Sequence, residues 1–122
     1  MPDFEPGDIL RGSKRRRDQA YHPIIFLEAL DDWCFCGGML THSGDYGNIK
    51  LGEEHFEKKI NDDPRPNYFV PARLLKKNDW GPFQKVGKLS ASGVAFVQAH
   101  LNDVTPQRWE DFISKEVLLD EE

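Results

Sequence analysis

Cysteine is scarce in this chain, and long apolar runs are missing altogether. Only two of the 122 residues are cysteine, Cys34 and Cys36, and a zinc site would need four ligands that no second cysteine cluster supplies. Two apart in a strand-like stretch, they share one face, where a disulfide between such close neighbours is strained. Small, buried core residues are the expectation. The longest apolar run, Pro23 to Leu27, is a strand's worth rather than a membrane span. Met1-Pro2-Asp3-Phe4-Glu5 has neither the positive flank nor the apolar stretch of a signal peptide, so a cytoplasmic address without membrane contact is expected. A positive overall charge is lacking too. The net charge of −5 argues against binding nucleic acid through the average field.

What the chain does have is one dense cluster of positive charge. Five basic residues fall within Arg11 to Arg17, whereas Leu119-Asp120-Glu121-Glu122 is acidic. A local basic patch on an acidic protein still holds phosphates, because screening leaves only nearby charge effective. The length fits a single domain, 1–122, with a hydrophobic core of its own. The composition, 39% hydrophobic and 30% charged, is that of an ordinary globular protein.

The pattern along the chain is mostly β. Gly7 to Arg11 reads as a first strand after a Pro-Gly turn. A second begins at His22-Pro23, and its continuous run Ile24-Ile25-Phe26-Leu27 predicts burial on both faces, as in a small barrel. The third, Trp33 to Thr41, places Trp33, Phe35, Gly37, Met39 and Thr41 on one face and Cys34, Cys36, Gly38 and Leu40 on the other. Gly37-Gly38 suggests either a sharp bend or the close approach of a neighbour, of which a coiling bend is the favoured cause in a small barrel. A fourth strand covers Asn48 to Leu51, and a helical turn is expected around Glu54 to Lys59. Tyr68 to Leu75 reads as a fifth strand broken near Pro71, and Phe83 to Gly87 as a sixth. Ser90 caps a helix with Val94, Val97 and Leu101 on one face, ended by Asn102-Asp103. Thr105-Pro106 signals a second helix with Trp109, Phe112 and Ile113 inward.

Pairing the second and third strands through a turn at Asp31-Asp32 brings His22 beside Thr41, since the start of one antiparallel strand lies beside the end of the next. The basic loop enters at that same end. Imidazole, hydroxyl and positive charge therefore meet there. His42 is a reserve partner for proton transfer, although strict alternation turns it away from the face of Thr41.

These residues resemble the MazF/PemK (Kid-like) toxins of type II toxin–antitoxin systems. The resemblance runs through Pro6-Gly7-Asp8-Ile9, His22-Pro23-Ile24-Ile25-Phe26-Leu27, Thr41, Val70-Pro71-Ala72-Arg73-Leu74-Leu75-Lys76 and Val86-Gly87-Lys88-Leu89-Ser90. It covers roughly 4–101 by the order and spacing of small motifs, and 105–122 is an additional helix and acidic tail. It implies a mainly β (α+β) fold, a small SH3-like β-barrel with C-terminal helices, that forms a homodimer. It also implies cleavage of single-stranded RNA without metal or cofactor, under control of an antitoxin protein. In such a site His22 and Thr41 are catalytic, and Lys14, Arg15, Arg16 and Arg17 bind RNA. Trp33, Trp80 and Tyr68 are candidates to stack bases, although most tryptophans in a domain this small are core.

This chain departs from the family's pattern in having His22 where the family has arginine, a longer spacing from Gly12-Ser13 to that position, and a more basic segment at Lys14 to Arg17. Histidine works as acid or base near neutral pH but lacks arginine's permanent forked charge. The alternative function is a non-catalytic barrel binding a peptide or nucleic acid.

Overall fold

Alternating and continuous apolar runs here resolve into short strands around one long one. The computed structural model describes residues 4–11, 23–30, 34–42, 44, 47–60, 66–77 (backbone alone at 76 and 77) and 83–108. In chain order come β1 (Asp8–Arg11), β2 (Ile24–Ala29), β3 (Cys34–Thr41) and β4 (Ile49–Leu51). A single 3-10 turn (Glu53–His55) leads into β5 (Phe56–Lys58), then β6 (Asn67–Phe69), β7 (Leu74–Lys77) and β8 (Gln84–Leu89). Helix α1 (Ala91–Leu101) and a two-residue strand, β9 (Gln107–Arg108), follow. Among the described residues no helix is long and apolar enough to cross a membrane.

The described strands form a mainly antiparallel sheet curled into a half-barrel, in the order β4-β6-β3-β2-β1-β8-β5. Strand β7 adds to β3, and β9 adds to β7 in parallel. Strand β3 is the hub. It pairs with β2 along one edge and with β7, then β6, along the other. Between β6 and β7 the chain advances from Phe69 to Leu74 while β3 steps back only from Leu40 to Gly37. The surplus residues bulge around Pro71, which has no amide hydrogen to offer a ladder. The expected broken strand is therefore two short strands sharing one neighbour.

Apolar side chains pack on both faces, as the Ile24–Leu27 run requires. One core joins Ile9, Ile25, Leu40, Phe69 and Leu89 to Val97 and Leu101 of α1. The other gathers Leu10, Ile24, Phe26, Phe35, Met39 and Leu74. Phe35 and Met39 lie on one side and Leu40 on the other, so the expected alternation in β3 holds. The irregularity falls in β2 instead, between Phe26 and Glu28. Helix α1 starts where its cap residue suggests: the Ser90 hydroxyl accepts the Gly93 amide at 3.1 Å. Val97 and Leu101 are buried and Val94 packs partly against the same core.

Several expectations are corrected. The helical turn around Glu54 to Lys59 is confined to Glu53–His55, because pairing of Phe56 with Leu89 draws the next residues into β5. The second helix does not begin at Pro106. Gln107 donates its amide to the Arg73 carbonyl at 3.0 Å, and Gln107–Arg108 extend the edge of β7; Trp109, Phe112 and Ile113 lie outside the described residues. Strand β2 begins at Ile24 rather than at His22. Cys36 is buried but Cys34 only half so, and neither is in a disulfide.

Of the two causes expected for Gly37-Gly38, close approach is seen at the first. A Cβ at Gly37 would collide with the Ile25 carbonyl oxygen and lie 2.9 Å from Ile24 Cγ1, whereas one at Gly38 would meet Leu101 at 3.7 Å, an ordinary contact. Close approach of β2 explains the first glycine alone. Gly37→Ala is therefore predicted to lower stability by about 2 kcal/mol or more, read by denaturant unfolding. Gly38→Ala should be neutral or stabilising by up to about 1 kcal/mol. Equal losses in both variants would contradict this packing.

Candidate nucleic-acid interface

The register brings several chain ends to one end of the sheet. Leu10 pairs with Ile24 and Arg11 with Gln84, so β1 finishes where β2 begins. The Pro23 carbonyl accepts the Leu40 amide at 2.9 Å, which sets the end of β3 against the start of β2. Thr41 pairs with Tyr68 of β6, and Tyr68 in turn with Lys50 of β4. Thr41 and Tyr68 are half-buried and Lys50 is exposed. Arg11 and Pro23, which flank residues 12–22 in the sequence, are thus both at this end of the sheet.

Of the residues expected to act here, Thr41 is at the edge as anticipated. His22, Lys14, Arg15, Arg16 and Arg17 lie outside the described residues, as do Trp33 and Trp80. His42 follows the strand end in a bend, exposed, with its Nδ1 3.0 Å from the Pro66 carbonyl oxygen. With its proton on Nδ1, the imidazole donates in that bond.

Alternation assigns the faces. Leu40 and Phe69 enter the core beneath α1, and Ile49 packs against it. Their neighbours Thr41, Tyr68 and Lys50 therefore leave the sheet on the other face, in a row of hydroxyl, phenol and ammonium. Being aromatic made Tyr68 one of three stacking candidates in the sequence, with nothing to single it out. Its place in the row depends on three strands in register.

A second polar cluster lies elsewhere. Arg73 donates from Nε to the Cys36 sulfur at 3.1 Å, and its Nη2 is 3.6 Å from Glu28 Oε2. The sulfur, and more weakly Glu28, raise the pKa of this guanidinium above its ordinary value, opposed by slight burial. These side chains, with Gln98 and Asn102 at the end of α1, line a cavity of about 170 Å³. Cys36 is five residues from Thr41 along β3, roughly 17 Å at strand rise, and alternation puts it on the opposite face. The two places cannot serve one substrate atom. Arg73 is thus a partner of Cys36 and Glu28 rather than a member of the Thr41 edge.

His55 and His100 are structural. His55 Nδ1 accepts the Gly52 amide at 2.9 Å, and its ring stacks on Phe96 with centroids 4.4 Å apart. His100 lies edge-on to Phe96 and Phe69. The i, i+4 spacing of Phe96 and His100 was the available signal. Among the described residues no group of three or more His, Cys, Asp or Glu side chains converges to hold a metal ion.

No protein-family model and no curated protein sequence matches this chain.

The Arg73 contacts rank by exposure. Glu28 is 61% exposed and Arg73 31%, so solvent weakens their pairing, whereas Cys36 is buried. A double-mutant cycle with Cys36→Ala and Arg73→Ala should give a coupling of about 1 kcal/mol. The cycle with Glu28→Ala should give below about 0.5 kcal/mol. Reversal of that order would contradict the assignment.

Proposed function

We propose that this chain is a divergent MazF/PemK-like endoribonuclease that cleaves single-stranded RNA without a metal ion, acting at the Thr41 end of the sheet. One observation carries the proposal: the ends of β1, β2 and β3 share that edge. The loop bearing Lys14 to Arg17 and the histidine preceding Pro23 both join the sheet there. The curled, mainly β sheet with a helix packed on it is compatible with the SH3-like barrel that the sequence resemblance implies. A fold alone would not assign the activity.

In the proposed reaction the ribose 2′-oxygen bonds to the adjacent phosphorus, and the bond from phosphorus to the 5′-oxygen breaks. A base takes the 2′-OH proton and an acid gives one to the leaving 5′-oxygen, leaving a 2′,3′-cyclic phosphate and a 5′-OH end. His22 performs one proton transfer, with His42 the reserve for the other. The Thr41 hydroxyl orients the phosphate, and Lys14 to Arg17 bear its charge in place of the family arginine. The protein acts in the cytoplasm as a homodimer. Its partner is an antitoxin with an acidic, apolar tail that competes with RNA for the basic loop.

Incubation of a long single-stranded RNA with the protein in EDTA tests this. The wild type should produce fragments with 5′-OH ends. His22→Ala should lose at least about 100-fold in rate, the scale of one proton-transfer group. Thr41→Val keeps the branched strand residue and removes only the hydroxyl, and should lose about tenfold or more. Cleavage surviving in His22→Ala would move the acid–base work to another residue. A folded wild type that cleaves no RNA would overturn the enzyme and leave a binding barrel.

A further inference from the structure

The row beside Thr41 contains a ring that the proposed chemistry does not use. Tyr68 is the cross-strand partner of both Thr41 and Lys50. Its neighbour Phe69 is fully buried and anchors β6 in the core, so Tyr68 is not needed to hold the strand down. It is only half-buried, on the face where Met39, two residues before Thr41, is wholly covered. The second core therefore stops short of the strand end, and part of the phenol faces outward.

The ring is also held in place. The chain after β3 passes directly against it: a Cβ at Gly44 would lie 3.0 Å from Tyr68 Cε2, 3.1 Å from Cζ and 3.3 Å from the hydroxyl. A side chain there would require the ring to give by a few tenths of an ångström. A ring packed on one side by backbone and open on another loses little freedom when a flat ligand stacks on it. On the next strand Lys50 is exposed, about 10 Å from the Thr41 backbone at two strand spacings. Hydroxyl, aromatic ring and ammonium follow one another across the sheet in the order that a single strand of nucleic acid calls for: a phosphate, a base, and another phosphate.

We propose that Tyr68 is a stacking platform for the nucleobase next to the phosphate held at Thr41, and that Lys50 contacts the following phosphate. This rests on the reading that RNA crosses the Thr41 edge, and adds to it a base subsite with no demand for a particular base, since every base has a flat face to stack. Base identity would be read by other groups.

The test is anisotropy of a fluorescein-labelled single-stranded 2′-O-methyl RNA, which has no 2′-OH nucleophile, titrated with full-length protein in EDTA. Tyr68→Phe should bind within about twofold of wild type, and Tyr68→Leu about tenfold more weakly. Lys50→Gln should reduce the slope of log affinity against log salt by about 0.7. Gly44→Ala, which presses on the ring from an exposed position, should weaken binding several-fold and covers the case in which Tyr68→Leu does not fold. Wild-type affinity in Tyr68→Leu or Gly44→Ala, with an unchanged salt slope in Lys50→Gln, would overturn the subsite even if the protein cleaves RNA. Tyrosine-dependent binding by a protein that cleaves nothing would uphold the subsite and overturn the enzyme. No binding by the wild type would overturn both.

Discussion

Both edges of β3 are hydrogen-bonded, to β2 on one side and to β7 and then β6 on the other, while its side chains from Phe35 to Leu40 are buried. A strand fixed in this way has no freedom to slip, because a one-residue shift would exchange the residues facing its two cores. Gly37 is where that pairing is tightest, with the Ile25 carbonyl in the space a side chain would fill. The position of Thr41 follows from this constraint. It stands where it does because the rest of β3 is locked behind it.

The same lock separates two chemical environments along one strand. Near its start, the Cys36 sulfur, Arg73 and Glu28 border a small cavity beside the end of α1. At its far end, on the other face, Thr41 lies in a row with Tyr68 and Lys50. The first group is largely satisfied internally, since the guanidinium is engaged by sulfur and carboxylate. The second lies at the end of the sheet where β1 finishes and β2 begins. Under the proposed function, substrate recognition belongs to the second.

Local signals were legible in the sequence and non-local pairings were not. Ile24 to Leu27 could be read as a strand covered on both sides because no polar residue interrupts it, and Val94, Val97 and Leu101 as a helix face because their spacing is helical. Ser90 could be read as a cap because its hydroxyl acts within one turn. Thr105-Pro106 carries an equally good local signal for a helix start, yet the next two residues add to the edge of β7. An unfilled strand edge offers backbone hydrogen bonds that no local propensity reveals. Arg73 and Cys36 are 37 residues apart, and only the path of the chain around Pro71 joins them. At the Thr41 edge the hydroxyl was legible from its place at a strand end, whereas the neighbouring Tyr68 and Lys50 required the register of β4, β6 and β3 together.

The central claim is that single-stranded RNA is held at the Thr41 end of the sheet and not at the Cys36–Arg73 cavity. The most direct test is an amide chemical-shift titration of isotope-labelled protein with uncleavable single-stranded 2′-O-methyl RNA. The account predicts the largest shifts at Arg11, Thr41, His42, Lys50 and Tyr68, with Cys36, Arg73, Gln98 and Asn102 unmoved. Shifts concentrated around Cys36 and Arg73, with the Thr41 edge silent, would contradict it.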